Sequence, residues 1–70
     1  MTYRELANRL RALGCEELRQ AKGSHLFWHN ANTGQVTAIP DWRGKDLSPG
    51  TVLAIIRQLG ISRKVFGSIK

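Results

Sequence analysis

The segment from Ser24 to Ile39 constrains this chain more than any other. Ser24 to His29 (Ser-His-Leu-Phe-Trp-His) is aromatic-rich and reads as a strand. The polar run Asn30-Ala31-Asn32-Thr33-Gly34 follows as a short hairpin loop with glycine near its end. Gln35 to Ile39 is the returning strand, and Pro40, which has no N–H to give to a ladder, closes it. A hairpin alone is marginal in water and needs a further strand or a helix packed against it. The segment Cys15 to Gln20 is poor in β-formers, but it is assigned as the third strand because the sheet needs one. Ala21-Lys22-Gly23 is the turn between them.

Helices bracket this sheet. Thr2 followed by Glu5 is a capping-box signature. Tyr3, Leu6, Leu10 and Leu13 recur at helical spacing, and Gly14 stands where a helix C-terminal glycine belongs. The first helix is therefore predicted over about residues 3 to 13. A polar connection runs from Asp41 to Leu47. Ser48 then caps a second helix with Pro49 in its first turn, Val52, Ile55, Ile56 and Leu59 as its buried stripe, and Gly60 at its end. A short helical turn is expected around Val65 and Phe66. The fold class is α+β with the order α-β-β-β-α. The simplest packing is a three-stranded antiparallel sheet with two helices on one face, leaving the other face or the rim free for a partner.

Seventy residues suit one domain, taken as residues 1–70. A chain of this size buries roughly 60% of its unfolded surface, too little to enclose a deep cavity, so an active site must lie on a surface or in a shallow groove. Eleven Lys and Arg against five Asp and Glu give a net charge of +6. That field attracts polyanions, with nucleic acid the first candidate and an acidic protein partner the second. No apolar run approaches the roughly 20 residues a membrane span needs, and no basic amphipathic helix with a large apolar face stands out. One cysteine, Cys15, permits no internal disulfide and suits a reducing cytosol. The expected location is cytoplasmic.

His25 and His29 are the only histidines. They share a strand face but lie about 13 Å apart, too far to grip one metal ion. No metal site and no cofactor is predicted. Nothing places Cys15 beside either imidazole, and it reads as a small packed residue. A single histidine is enough for chemistry on RNA, where the ribose 2′-hydroxyl is an internal nucleophile beside the phosphate. Imidazole titrates near neutrality and suits the proton transfer. Gly23 and Ser24 would offer backbone amides and a hydroxyl, with Lys22 and Lys45 as cations. Two roles stay open for His25 on these grounds, a proton-transfer group or a strand histidine with only local hydrogen bonds. Trp42 is either a base-stacking surface or a lid over the sheet or the second helix. Arg43 and Lys45 either meet phosphates or are solvated loop charges. Phe27 and Trp28 point to opposite faces, and the pattern does not tell which one is buried.

In order along the chain, Lys22-Gly23-Ser24-His25 with Leu26-Phe27, the Gly34 hairpin, Ile39-Pro40, Gly44-Lys45-Asp46-Leu47, Pro49-Gly50-Thr51-Val52 and the run from Ile55 to Ile61 resemble the HicA family of toxins. The resemblance implies a fold like a double-stranded-RNA-binding domain. It also implies a metal-independent mRNA interferase, an endoribonuclease whose essential histidine is the one in Gly-Ser-His, here His25. Gly23, Ser24, Lys22, Lys45 and Trp42 stand as supporting or RNA-binding positions. The implied partners are mRNA as substrate and a HicB-type antitoxin that covers the active surface. The free chain is expected to be a monomer that forms a hetero-oligomer with the antitoxin. Two positions depart from the family: many members have histidine where this chain has Leu26, and many have one shortly after Ile-Pro, where this chain has Trp42.

Two other functional classes fit the composition. One is a non-catalytic RNA-binding module on the same fold, for which His25→Ala would be silent. The other is a protein-interaction module with negligible RNA affinity.

Overall fold

The computed structural model describes residues 1–20, 23–42 and 44–69. The elements run α1 (Tyr3–Ala12), β1 (Cys15–Gln20), β2 (His25–Asn30), β3 (Val36–Pro40), α2 (Pro49–Gln58) and the one-turn α3 (Arg63–Phe66). The predicted α-β-β-β-α order is therefore observed, followed by the expected turn of helix near the C-terminus. The three strands form an antiparallel sheet in the order β1-β2-β3, with β2 in the centre. Ala21, Lys22, Arg43 and Lys70 lie outside the described residues, so the turn at Ala21-Lys22 and the sites assigned to Lys22 and Arg43 receive no structural account.

The helix boundaries follow from local chemistry. Thr2 and Glu5 close a capping box: the Thr2 hydroxyl accepts from the Glu5 N–H at 3.2 Å, and the Glu5 carboxylate accepts from the Thr2 N–H at 2.9 Å. The bond from the Thr2 N–H, and a second from the Thr2 hydroxyl at 3.2 Å, favour the ionised carboxylate and hold the Glu5 pKa below its usual value. Ser48 caps α2 by accepting from the Thr51 N–H at 3.2 Å, with Pro49 in the first turn. Gly14 and Gly60 follow the two C-caps, Leu13 and Leu59. All four residues of the predicted α2 stripe are buried, as are Leu6 and Leu10 of α1. Burying each such side chain stabilises the fold by about 1.5–3 kcal/mol.

The core lies between the helices and one face of the sheet, with Trp28 at its centre and no exposed surface. The indole N–H donates to the Tyr3 hydroxyl at 3.1 Å, and the two rings meet edge-on with centroids 6.4 Å apart. Tyr3 in turn donates to Glu17 at 3.2 Å, and the Arg11 guanidinium sits 5.2 Å from the indole. The far end of β2 is locked by Asn30. Its buried amide donates to the Leu59 carbonyl at 2.7 Å, and its oxygen accepts from the Asn32 N–H at 2.9 Å, so the end of the sheet is tied to the end of α2.

Register decides what the open face carries. His25 pairs with Pro40, Phe27 with Ala38, and His29 with Val36 across β2–β3. Pro40 ends an edge strand, where the loss of one ladder donor is tolerated. Between β1 and β2 the register shifts at Leu18, so that Glu17 opposes Trp28 while Arg19 opposes Phe27. This is a β-bulge, one extra residue on the edge strand.

Burial raises the Tyr3 phenol pKa above its usual 10.0, with the Trp28 hydrogen bond acting in the opposite direction. The folded chain thus holds this proton more tightly than the unfolded chain does. The associated stability is whole below pH 10.0 and is lost as pH rises through the folded value. Urea unfolding on the alkaline side should therefore fall off more steeply for the native chain than for Tyr3→Phe. Parallel curves would show that the phenol is not desolvated by folding.

Candidate functional site

Burial of Trp28 sends its neighbours outward, because successive strand residues face opposite sides. His25, Phe27 and His29 consequently share the face that carries no helix. The ambiguity left by the sequence is resolved: the indole is the core residue and Phe27 the surface one. His25 is exposed at the N-terminal end of the central strand, and among the described residues none hydrogen-bonds its ring. His29 is engaged differently, with Nδ1 at 3.6 Å from the carboxylate of its cross-strand partner Glu16. Cys15 is buried opposite Asn30, away from both imidazoles, and burial pushes its thiol pKa up.

Three of the predicted supporting residues meet. Ser24, Trp42 and Lys45 line an open depression of about 520 Å³ together with Asp41. The Asp41 N–H donates to the Ser24 carbonyl at 2.7 Å, continuing the β2–β3 pairing one step past the strands. The Lys45 N–H donates to the Trp42 carbonyl at 3.2 Å, which closes the loop and holds the lysine beside the indole. Trp42 is 43% exposed, so much of its indole is open to solvent. His25 directly follows Ser24 but does not line the depression. Its ring stands on the outer face, at the same end of β2.

Sequence reasoning does not single out Asp41. The signal that finds it is register: once His25 opposes Pro40, Asp41 must oppose Ser24. The Leu26 departure also gains a physical meaning. Leu26 pairs with Ile39, is partly buried and packs on the core. A side chain at position 26 is directed to the side opposite His25, so leucine there removes nothing from the outer face.

Residues 3–61 of this 70-residue chain match the family described as the HicA toxin of bacterial toxin–antitoxin. The chain belongs to the HicA toxin family. The match runs from the start of α1 to just beyond α2, and so includes the whole sheet and the Gly23-Ser24-His25 turn. No curated protein and no solved structure gives a significant match. As a HicA toxin the chain is one half of a toxin–antitoxin pair. Among the described residues no helix is long and apolar enough to cross a membrane.

In this HicA toxin two glycines with left-handed backbones make contrasting demands. Gly23 has φ +62 and open space where a Cβ would stand. Gly60 has φ +73, and a Cβ there would meet Gln35 and come within 3.0 Å of Thr33 Cγ2. Gly23→Ala should cost only backbone strain, about 1 kcal/mol. Gly60→Ala should cost clearly more in the same urea titration. Equal losses would contradict the contrast between open space at the Gly23 Cβ position and a crowded one at Gly60.

Proposed function

We propose that this HicA toxin is an mRNA interferase, a metal-independent endoribonuclease that uses His25 as its general acid and base and is silenced by a HicB-type antitoxin in the cytoplasm. The observation that carries this reading is the free-standing imidazole of His25 on the Gly23-Ser24-His25 turn, exposed and committed to no structural hydrogen bond among the described residues. A histidine with only a structural role would be expected to have a local partner, as His29 has Glu16.

The chemistry needs little machinery. A base removes the 2′-hydroxyl proton, O2′ bonds to phosphorus, and the P–O5′ bond breaks as an acid protonates the leaving oxygen. The products are a 2′,3′-cyclic phosphate and a 5′-hydroxyl. Imidazole serves either proton step, each worth typically 10²–10⁴-fold. The charge that develops on the phosphate oxygens calls for fixed donors and cations. Lys45 and the Ser24 hydroxyl lie at the same end of the sheet as His25, and Trp42 offers a ring for a flanking base. Lys22 joins them by its place in the motif. The net charge of +6 draws the RNA in.

The test is to induce the native chain and His25→Ala separately in a bacterial host while following growth and mRNA integrity. Arrest with mRNA loss is expected for the native chain alone, and co-expression of the neighbouring antitoxin frame should relieve it. In vitro, cleavage should persist in EDTA and fall by at least 10²-fold in His25→Ala. If both chains are folded and harmless, the ribonuclease reading fails, and a non-catalytic RNA-binding module takes its place.

A further inference from the structure

The bulge at Leu18 re-aims a cation. Along β1 and β2 the pairing starts in step, with Cys15 opposite Asn30, Glu16 opposite His29 and Glu17 opposite Trp28. Continued regularly, Leu18 would oppose Phe27 and Arg19 would turn to the helix side. The extra residue instead sets Arg19 opposite Phe27, with its guanidinium 5.9 Å from the ring centroid on the outer face. Leu18 is left 51% exposed, so the bulge does not serve to bury it. Bulges beside functional sites commonly have this role of turning one side chain to a new face.

We propose that Arg19 and Phe27, brought together by this bulge in line with His25, form a platform for single-stranded RNA, with Phe27 stacking on a base and Arg19 holding a phosphate. The substrate class deepens the ribonuclease reading and rests on it for the role of His25. Three observations select RNA as the occupant of this face. Phe27 lies on the same strand and the same face as His25, one alternation away, so the platform is continuous with the reacting group. The cation beside the ring and the chain's +6 charge complement phosphate. Stacking selects a single strand. An aromatic ring can stack only on a base whose face is open, and duplex bases have theirs covered by their neighbours. A base lying on Phe27 beside His25 must therefore be splayed from its neighbours, as the bases of a duplex are not. Aromatic side chains on an open sheet are a recurrent way to hold such bases.

The probe is a short 2′-O-methyl oligonucleotide, which lacks the nucleophile and cannot be cleaved, used either single-stranded or annealed to its complement. The native chain should bind the single strand more tightly than the duplex. Phe27→Leu keeps an apolar side chain but loses the ring, and should weaken single-strand binding by about tenfold, while Phe27→Tyr should retain it. Arg19→Ala should lower the salt slope of binding by about one. Circular dichroism should be unchanged in all three, because both side chains lie outside the core. Unaltered affinity in Phe27→Leu, or a preference for duplex, overturns the proposal. So does a Phe27→Leu chain that binds RNA normally and loses only the antitoxin, since the face is then a protein interface. Binding as proposed in a chain that fails the His25 toxicity test would leave the platform standing and remove the ribonuclease reading alone.

Discussion

The burial of one indole organises this molecule. Trp28 occupies the middle of the central strand, has no exposed surface, and joins the sheet to α1 through the Tyr3 hydroxyl. A strand has only two faces, so fixing Trp28 inward fixes His25, Phe27 and His29 outward. A slip of one residue would exchange these sets, exposing the indole and burying the histidines. The exposure of His25 is thus a consequence of core packing rather than of anything local to its turn. Asn30 and its bond to the Leu59 carbonyl secure the same register from the other end of β2.

The N-terminal end of β2 then acquires two environments. On one side Ser24, Asp41, Trp42 and Lys45 form an open depression held by one backbone bond between the ends of β2 and β3 and one within the loop that follows β3. On the other stands the outer face with its exposed imidazole and the Arg19–Phe27 pair. A long polymeric substrate can engage both by passing around the end of the sheet. The arrangement suits a chain too small to enclose its substrate. In the proposed reading, control comes from a second protein that covers this surface.

Much of the architecture was legible in the sequence because it rests on local rules. The capping box at Thr2 and Glu5, the proline at the start of α2, and the glycines after both C-caps each have a short-range physical cause. The α2 stripe could be read because period alone predicts it. Features that depend on pairing between strands were not legible. Phe27 and Trp28 have similar strand preferences, and only packing against Tyr3 and Arg11 chooses between them. The bulge at Leu18 has no glycine or other local signature, yet it decides where Arg19 points. Asp41 likewise reads as loop polarity until the register sets it opposite Ser24. For the site, the motif around His25 marks which residue to ask about, and the fold adds on which face it stands and what shares that face. The role of Lys22 rests on the motif alone.

The most direct test of the central claim is the chemistry of the RNA ends left by the purified toxin. An imidazole that assists the ribose 2′-hydroxyl must generate a 2′,3′-cyclic phosphate on one fragment and a 5′-hydroxyl on the other. End-group analysis of a defined oligoribonucleotide after limited digestion distinguishes these from 3′-hydroxyl and 5′-phosphate ends, which require attack by an external water. Cyclic phosphate and 5′-hydroxyl termini, absent from a parallel digestion with His25→Ala, are the predicted result. Fragments bearing 3′-hydroxyl and 5′-phosphate, or equal yields from the two proteins, would contradict it.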